Sequence, residues 1–409
     1  MNRFGRALAG LIACTLICFT ALSEEPGAPI PSPAERGKYL TDAGNCFSCH
    51  TKPGGAPFAG GLAFDTPFGT IYSPNITPDP LTGIGQWTAL DLRRAMHEGL
   101  GKDGIRLFPA FPYTSYSKVT DQDVDAIYAY LRTLKPVRYT PPANGLLFSM
   151  RWPLALWNAS FFQEGRYQPN PSQSSEWNRG AYLVEGLGHC SACHTPRNWF
   201  MAEDDARTYT GGVLQAEVAK GKTRTWSAVN LSSAKIGLGS WSLNDLTKYL
   251  QTGFSPRAGS FGPMNEVILN SLKNLTSEDV HAMAVYLKSL PARTDTDDGV
   301  SAAQAKAGEA IYKDHCEKCH SSSGRGGMFA GPPLAGSAVV QAGNPASLIN
   351  VILYGPDLSK GIPTGAWETM PAYDDILNDA QTAAVANYIR GSWRNHGSPV
   401  TESEAAQQR

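Results

Sequence analysis

The chain has 409 residues, a length that allows two to four domains, and its 35 basic residues nearly balance its 36 acidic ones. This balance argues against nucleic-acid binding, which needs a strongly basic surface. After the N-terminal segment, no stretch is apolar for the ~20 residues that a membrane-spanning helix requires.

Residues 1–23 have the pattern of a secretory signal peptide. Arg3 and Arg6 supply the positive charge, an apolar run follows, and small residues precede the predicted cleavage site before Glu24. The sequence ending at Cys14 also resembles a lipoprotein box, but that box leaves a very short apolar core before the cut. We therefore predict simple cleavage and export, which leaves 33 basic against 36 acidic residues.

Six of the eight cysteines fall into three copies of the pattern C-x-x-C-H. Two thiols at this spacing can add to the two vinyl groups of one porphyrin, and the next residue is an imidazole that can bind its iron. Zinc sites use such motifs in pairs, and three copies cannot pair. The pattern therefore predicts three covalent haems c. The attaching residues are Cys46, Cys49, Cys190, Cys193, Cys316 and Cys319, and the proximal iron ligands are His50, His194 and His320.

Each motif lies in a repeating frame, with a glycine-containing helix before it and a capped amphipathic helix after it. The glycines are Gly37, Gly180 and Gly308, and the capping residues are Thr120, Thr276 and Asn378. The first two repeats also share the block Gly83–Trp87, which recurs as Gly237–Trp241. We predict an all-α fold of three tandem class-I-like cytochrome c domains, the first two being an internal duplication.

The domain boundaries follow from this frame. They are 1–23 for the signal peptide, 34–135 for domain 1, 136–176 for a connector rich in proline and aromatic residues, 177–291 for domain 2, 292–301 for a linker, 302–395 for domain 3 and 396–409 for a polar tail. The connector is too apolar for a solvated tether. It is expected either to pack on its neighbouring domains or to form a docking surface for a partner subunit or a bilayer. Prolines after the motifs, Pro53, Pro196 and Pro332, could place a carbonyl beside each proximal imidazole.

The sixth iron ligand is expected in a loop shortly before each closing helix. Met264 and Met370 occupy such loops in domains 2 and 3, and a thioether there raises the reduction potential relative to a second histidine. Domain 1 has Phe111 in the corresponding loop, and phenylalanine cannot bind iron.

For haem 1, therefore, either the sixth position is open or filled by water, or another residue supplies the ligand. Met150 is the nearest later candidate and is the predicted ligand. Met96 and His97 lie on a predicted helix, where a packing role is expected before a ligand role. An open position would allow haem 1 to bind small molecules.

These residues resemble the triple-haem cytochrome c subunits of bacterial membrane-bound dehydrogenases. That group includes gluconate 2-dehydrogenase, alcohol dehydrogenase, fructose dehydrogenase and FAD-dependent glucose dehydrogenase. The resemblance covers roughly residues 34–395. It rests on the segments Asn75–Trp87, Met150–Asn158, Glu176–Leu183, Cys193–Arg197 and Thr369–Ala372.

The resemblance implies a periplasmic complex on the outer face of the cytoplasmic membrane. A flavin- or quinone-dependent dehydrogenase subunit, with or without a third small subunit, would oxidise a sugar, sugar acid or alcohol. This chain would relay the electrons through three haems to ubiquinone, without substrate chemistry of its own. Many members of the group carry methionine where this chain has Phe111. Peripheral membrane contact is expected from Trp152–Phe162, because the final run Thr401–Arg409 is polar.

Two other functions compete with this one. A free-standing electron shuttle is expected to be small and strongly charged, and this chain is neither. A peroxidase working at an open haem 1 would need an acid–base pair, and none is evident near Phe111. If the chain is a subunit of a complex, the partner protein would also cover the apolar surface of the connector.

Overall fold

A computed structural model describes residues 31–146, 151–219, 222–294, 299–356, 361–363 and 365–409. Three features predicted from the sequence lie outside these residues. They are the signal peptide, the lipoprotein-box residue Cys14 and the candidate ligand Met150.

The first repeat begins and ends with a capped helix. Ser32 and Glu35 form a capping box at the first of these helices, and the Thr120 hydroxyl accepts the Asp123 N–H at the last, as the sequence predicts. The helices are α1 (Pro33–Ala43), α2 (Cys46–His50), α3 (Ala89–Glu98), α4 (Tyr113–Tyr116) and α5 (Asp121–Leu131). The strands β1 (Ala63–Thr66) and β2 (Gly69–Tyr72) form an antiparallel sheet with β3 (Gly145–Leu146) from the connector.

The second repeat follows the connector helix α6 (Pro153–Phe161) and has the same order of helices. They are α7 (Ser175–Tyr182), a π-helical turn (Leu183–Leu187), α8 (Ser191–His194), α9 (Leu243–Thr252), α10 (Pro263–Asn270) and α11 (Ser277–Ser289). Two antiparallel hairpins are added, the longer of β4 (Gly212–Ala219) and β5 (Lys222–Ala228) and the shorter of β6 (Phe254–Ser255) and β7 (Ala258–Gly259). The hairpin β4–β5 is longer than its counterpart β1–β2 in the first repeat and enlarges the second.

The third repeat closes with a helix that Asn378 and Gln381 cap in a capping box. Its helices are α12 (Ala302–Ala307), α13 (Glu309–His315), α14 (Glu317–His320), α15 (Ala346–Tyr354) and α16 (Asp379–Gly391), and α17 (Glu402–Ala406) follows. The helix α17 lies in the predicted polar tail and is tied to the repeat, because the Val400 N–H donates to Asn387 Oδ1 at 2.7 Å. The tail is therefore ordered by its contacts with α16.

In every repeat the opening helix crosses the closing helix at a glycine, and nothing larger fits there. An added Cβ would lie far inside van der Waals contact with a backbone carbonyl oxygen on the facing helix. The distances are 1.8 Å from Gly37 to Ala126 O, 1.9 Å from Gly180 to Ala282 O and 2.1 Å from Gly308 to Ala384 O. The glycines in the predicted frame are thus the points of closest helix approach.

The first two repeats share one hydrophobic core, and the third has its own. Leu40 and Ile127 of the first repeat belong to the same buried cluster as Leu187 and Leu287 of the second. The third repeat packs around Ile349 and other residues of α13, α15 and α16 in a separate cluster. The second and third repeats meet where β5 lies against α15, with hydrogen bonds between the two elements.

The connector packs on both neighbouring repeats and still leaves apolar surface. The Tyr113 hydroxyl donates to Asn158 Oδ1 at 2.7 Å, and the Trp157 indole N–H donates to the Phe200 carbonyl at 2.9 Å. Trp152, which caps the same helix, and Leu156 within it are each 64% exposed. The packing expectation is therefore met, and an apolar surface remains for a partner or a bilayer.

The all-α expectation is met only in part, because three small antiparallel sheets accompany the helices in the described part of the chain. The sequence has few alternating strands to signal them, and β3, β6 and β7 are two residues long. Among the described residues, no helix combines the length and the apolarity needed to cross a bilayer.

We predict that Gly37→Ala, Gly180→Ala and Gly308→Ala each destabilise the protein, because the added methyl group forces two packed helices apart. Overpacking of this kind lowers the free energy of unfolding by ~1–3 kcal/mol. Urea unfolding followed by circular dichroism measures the effect. Gly165→Ala is the matched control, since its Cβ would meet nothing within 4 Å. Unchanged unfolding midpoints in the three variants would contradict the close crossings.

Candidate haem-binding sites

Each C-x-x-C-H motif forms a short helical turn. The three turns are α2, α8 and α14, and each ends on its histidine. Residues three apart on a helix point to the same side, so the two thiols of each motif face one region of space. The six motif cysteines have free thiols, as attachment to a vinyl group requires.

A backbone carbonyl holds each motif histidine by its Nδ1. His50 Nδ1 lies 2.8 Å from Pro74 O, His194 Nδ1 lies 2.7 Å from Val229 O and His320 Nδ1 lies 2.9 Å from Pro332 O. The carbonyl fixes the tautomer and leaves Nε2 free for a metal. Burial lowers the pKa of all three imidazoles, so that their neutral, ligating form is favoured.

The sequence named only one of the three carbonyl groups. Pro332 holds His320 as expected, whereas Pro74 and Val229 take the places expected of Pro53 and Pro196. The reason is geometric: the chain leaves each of the first two motifs, forms a loop and returns. The residue that returns beside the imidazole is then distant in sequence.

One thiol of each motif has a pKa that burial dominates. Burial raises the pKa of Cys46, Cys190 and Cys316 to about 12, so these thiols stay protonated near neutral pH. A protonated thiol is a poor nucleophile and a poor metal ligand. The addition of a neutral S–H across a porphyrin vinyl group is compatible with that state.

A large cavity adjoins the first motif. Its volume is 2340 Å³, compared with ~300–1,000 Å³ for an ordinary small-molecule site. Cys46, Cys49 and His50 line one side, and Cys193 and His189 of the second repeat line another. Paired thiols, a free imidazole nitrogen and apolar walls are the features that a haem requires, so the residues present fit that group.

The loop of the first repeat that was expected to supply a sixth ligand has Phe111 on the cavity wall. Its ring centroid lies 5.3 Å from that of Tyr116, within the core. The segment that follows Met150 reaches the same cavity, because Pro153 and Leu154 also line it. The Arg151 guanidinium lies 4.5 Å from the Phe108 ring centroid and holds this segment against the loop.

The second repeat explains the roles of Met96 and His97. Counted back from Gly99 and Gly253, which end α3 and α9, they correspond to Leu250 and Gln251. Met96 is a buried core residue that also lines the cavity.

His97 is buried, 1% exposed, with Nδ1 3.7 Å from Asp121. Burial lowers its pKa to about 4, although the neighbouring Val119 backbone acts in the opposite direction. Gln251, its counterpart, donates to the Leu275 carbonyl at 3.2 Å. Both side chains therefore lie beside the residue that precedes a closing-helix cap.

Met264 is the second residue of α10 and packs against the core shared by the first two repeats. Gly262 before it has φ 54°, and an added Cβ there would lie 2.7 Å from the Trp226 ring. The glycine thus lets the chain turn closely around Trp226 and present Met264. Met264 lies further before its closing-helix cap, Thr276, than Phe111 lies before Thr120. The two residues are therefore not at matching positions.

Met370 lies in the loop before α16 and packs against the core of the third repeat. The loop is held at both ends: the Tyr373 N–H donates to Leu353 O at 2.8 Å, and Glu368 Oε2 lies 3.7 Å from Cys319 Sγ. The loop that contains Met370 therefore reaches the third motif.

Sequence reasoning missed His189, the residue directly before Cys190. Tyr39 is seven positions before Cys46, whereas Tyr182 is eight before Cys190. A π-helical turn accompanies the extra residue, and such turns are frequent at functional sites. The different spacing was the available signal, and His189 lies on the cavity wall.

Two family models match this chain. "Cytochrome c" matches residues 34–135, and "Cytochrome C oxidase, cbb3-type, subunit III" matches residues 303–389. The chain is 40% identical to the gluconate 2-dehydrogenase cytochrome c subunit of Pantoea cypripedii, over 95% of this chain and 91% of that one. It is 38% identical to the cytochrome c subunit of the quinone alcohol dehydrogenase of Gluconacetobacter polyoxogenes, over 94% of this chain and 85% of that one.

A further relative is a longer protein. The chain is 43% identical to a nicotinate dehydrogenase subunit of Pseudomonas putida over 95% of its own length. It spans only 33% of that relative, so most of the relative has no counterpart here.

We predict that Met96→Leu and His97→Gln, which install the residues of the second repeat, leave the visible absorption spectrum of the haem-loaded protein unchanged. His97→Leu should also leave the spectrum unchanged. It should lower the free energy of unfolding by ~1–3 kcal/mol, because a buried polar contact is lost. Absorption spectroscopy and thermal unfolding measure these two effects. Conversion of one haem to the high-spin form in Met96→Leu or His97→Gln would identify that residue as an iron ligand instead.

Proposed function

Because the chain belongs to the family of cytochrome c subunits of dehydrogenases, we propose that it is the electron-transfer subunit of a dehydrogenase complex. The observation that supports this most directly is the threefold motif, in which paired thiols accompany an imidazole whose Nδ1 is held and whose Nε2 is free. The proposed organisation is three tandem cytochrome c domains, 34–135, 177–291 and 302–395, joined by the connector 136–176 and the linker 292–301, with the tail 396–409.

Three haems c are proposed, one for each motif. Each haem, when bound, supplies an iron that gains and loses one electron. The chain's own residues attach the porphyrin through six cysteines and bind iron through His50, His194 and His320. Met264 and Met370 are the proposed sixth ligands of the second and third sites. Met150 is the proposed sixth ligand of the first, supported by the packing of its neighbour Arg151 on the Phe108 ring.

A partner subunit would carry out the substrate chemistry. We propose a flavin- or quinone-dependent dehydrogenase that oxidises a sugar, sugar acid or alcohol, with or without a third small subunit, and ubiquinone as the final acceptor. The names of the gluconate and alcohol relatives support this donor class. The 43% identity to a nicotinate dehydrogenase subunit favours a nicotinate-type donor as the second candidate.

The complex is proposed to lie in the periplasm, on the outer face of the cytoplasmic membrane. Support comes from the signal-peptide pattern of residues 1–23 and from an exposed apolar patch on the connector side. This patch is formed by Trp152, Leu156, Phe161, Trp199 and Phe200, and Trp199 is 97% exposed. Apolar patches rich in aromatic residues suit a membrane interface, so the patch is the proposed peripheral contact.

We predict three covalent haems per chain, measured by haemochrome assay and intact mass. Replacing both cysteines of one motif with alanine should remove one haem each time.

Met264→His and Met370→His should each lower one midpoint potential by on the order of 100 mV, within the ~0.8 V span that axial ligands cover. Met283→Leu is the matched control, since that methionine is buried in α11 and does not line the cavity. Three unchanged potentials in a histidine variant would exclude that methionine as a ligand.

We predict that the protein isolated from membranes of its own cells is bound to a larger flavin- or quinone-dependent subunit. Adding that subunit's substrate should reduce the haems, followed by the change in their visible absorption. Gluconate, a primary alcohol and nicotinate, tested separately, distinguish the donor classes.

Trp152→Ser with Leu156→Ser should move the complex to the soluble fraction while the partner stays bound. Leu90→Ser, at an exposed leucine of the first repeat, is the matched control. Isolation of a stable haem protein that never binds a dehydrogenase would contradict the proposal and favour a free shuttle.

A further inference from the structure

We propose that two reciprocal tyrosine–aspartate bridges hold the first two repeats together as a pseudo-symmetric pair, and so position their motifs for electron transfer between the two haems. This inference rests on the proposed electron-transfer function. The bridge residues are separate from the haem-binding cysteines and histidines, so they act as positioning residues.

The first bridge runs from the second repeat to the first. The Tyr182 hydroxyl donates to Asp123 Oδ2 at 2.6 Å and accepts the Thr120 N–H at 3.1 Å. Arg36 Nε binds the other carboxylate oxygen of Asp123 at 2.9 Å. The tyrosine of one repeat therefore completes the N-terminal cap of the closing helix of the other.

The second bridge runs in the opposite direction with the same residue types. The Tyr39 hydroxyl donates to Asp279 Oδ2 at 2.5 Å and accepts the Thr276 N–H at 3.3 Å. Arg179 Nε binds Asp279 Oδ1 at 2.8 Å. Each element of the first bridge has its equivalent here, and both tyrosines lie two residues after a crossing glycine.

Contacts of this form are those of an isologous dimer interface, in which residue i of one copy binds residue j of the other and j binds i. Here both copies belong to one chain. The shared core of the first two repeats agrees with this arrangement, because Leu40 and Leu183 belong to one buried cluster.

The third repeat has the same helix crossing but not the bridge residues. The residue before Gly308 is Ala307, where the first two repeats have arginine. The residue two positions after Gly308 is Ala310, where they have tyrosine. Counted from the cap Asn378, the aspartate position holds Gln381. This repeat cannot form either bridge, in keeping with its separate core.

The first two motifs lie near each other where the first and second repeats meet. Asn270 Nδ2 of the second repeat donates to Ser48 Oγ, inside the first motif, at 2.9 Å. Cys49 of the first motif and Cys193 of the second line the same cavity. The ring of His189 packs edge-on against that of Tyr116, 5.5 Å between centroids, and so joins the two repeats.

The step that this geometry serves is the transfer of one electron between the two sites. With both haems bound, one iron would be oxidised from ferrous to ferric as the other is reduced from ferric to ferrous, and no proton or bond would be exchanged. The rate of such a step depends steeply on separation, whereas the potentials depend on the axial ligands. A change in the bridges should therefore alter the rate and leave the potentials in place.

The test uses the full haem-loaded chain with Tyr39→Phe, Tyr182→Phe and the double variant. Pulsed EPR gives the separation of the first two ferric irons, and photoreduction gives the rate of electron equilibration between them. The double variant should show a broader distribution of separations and a several-fold slower equilibration, beyond the sum of the single changes. Midpoint potentials and absorption spectra should match those of the unchanged protein.

Tyr128→Phe is the matched control, because that hydroxyl donates to Trp87 O at 2.7 Å within the first repeat. If the double variant does not fold, the two single variants, each of which leaves one bridge intact, are compared with the unchanged protein by the same two measurements. Unchanged separation and rate in the bridge variants would overturn the inference. Absence of covalent haem at the first or second motif would instead overturn the proposed function.

Discussion

The opening and closing helices of each repeat approach so closely that only glycine fits at the crossing. Because Gly37 and Gly180 bring backbone to backbone, the residues on either side of them have fixed positions relative to the closing-helix cap. The arginine before each glycine then reaches the aspartate of its own repeat. The tyrosine two residues later reaches the aspartate of the other repeat. A steric constraint within one repeat thereby determines the contact between two.

The same crossing also positions the haem-binding turns. The motif follows the opening helix directly, and its histidine must then meet a carbonyl that comes from elsewhere in the chain. In the first two repeats the carbonyl belongs to Pro74 and Val229, and an asparagine, Asn75 or Asn230, directly follows each of them. Those asparagines anchor the returning loop: Asn75 Nδ2 donates to Val137 O at 2.8 Å and Asn230 Nδ2 to Arg293 O at 2.8 Å. The two asparagines thus have a shared physical role, which is to hold the carbonyl that orients the imidazole.

The features that could be predicted from the sequence are those that depend on near neighbours in the chain. The motif turns and the caps at Thr120 and Thr276 each need only a few adjacent residues. The carbonyl of Val229 and the cavity position of His189 depend on where a distant segment returns, and local pattern does not contain that information. The strands β3, β6 and β7 escaped prediction for a related reason, since two-residue strands have no periodicity to detect.

The presence or absence of the bridge residues accounts for the unequal contacts of the three repeats. With alanine and glutamine in place of the bridge residues, the third repeat keeps its helix crossing but has no means to pair through that face. It meets the second repeat through β5 instead, where Ser227 and Ser347 exchange hydrogen bonds at 2.9 and 3.2 Å and Asn350 Nδ2 donates to Thr225 O at 2.8 Å. The strand that receives it belongs to the hairpin that enlarges the second repeat. The tyrosine–aspartate bridges on one side and the β5–α15 contact on the other therefore place the second repeat between the first and the third.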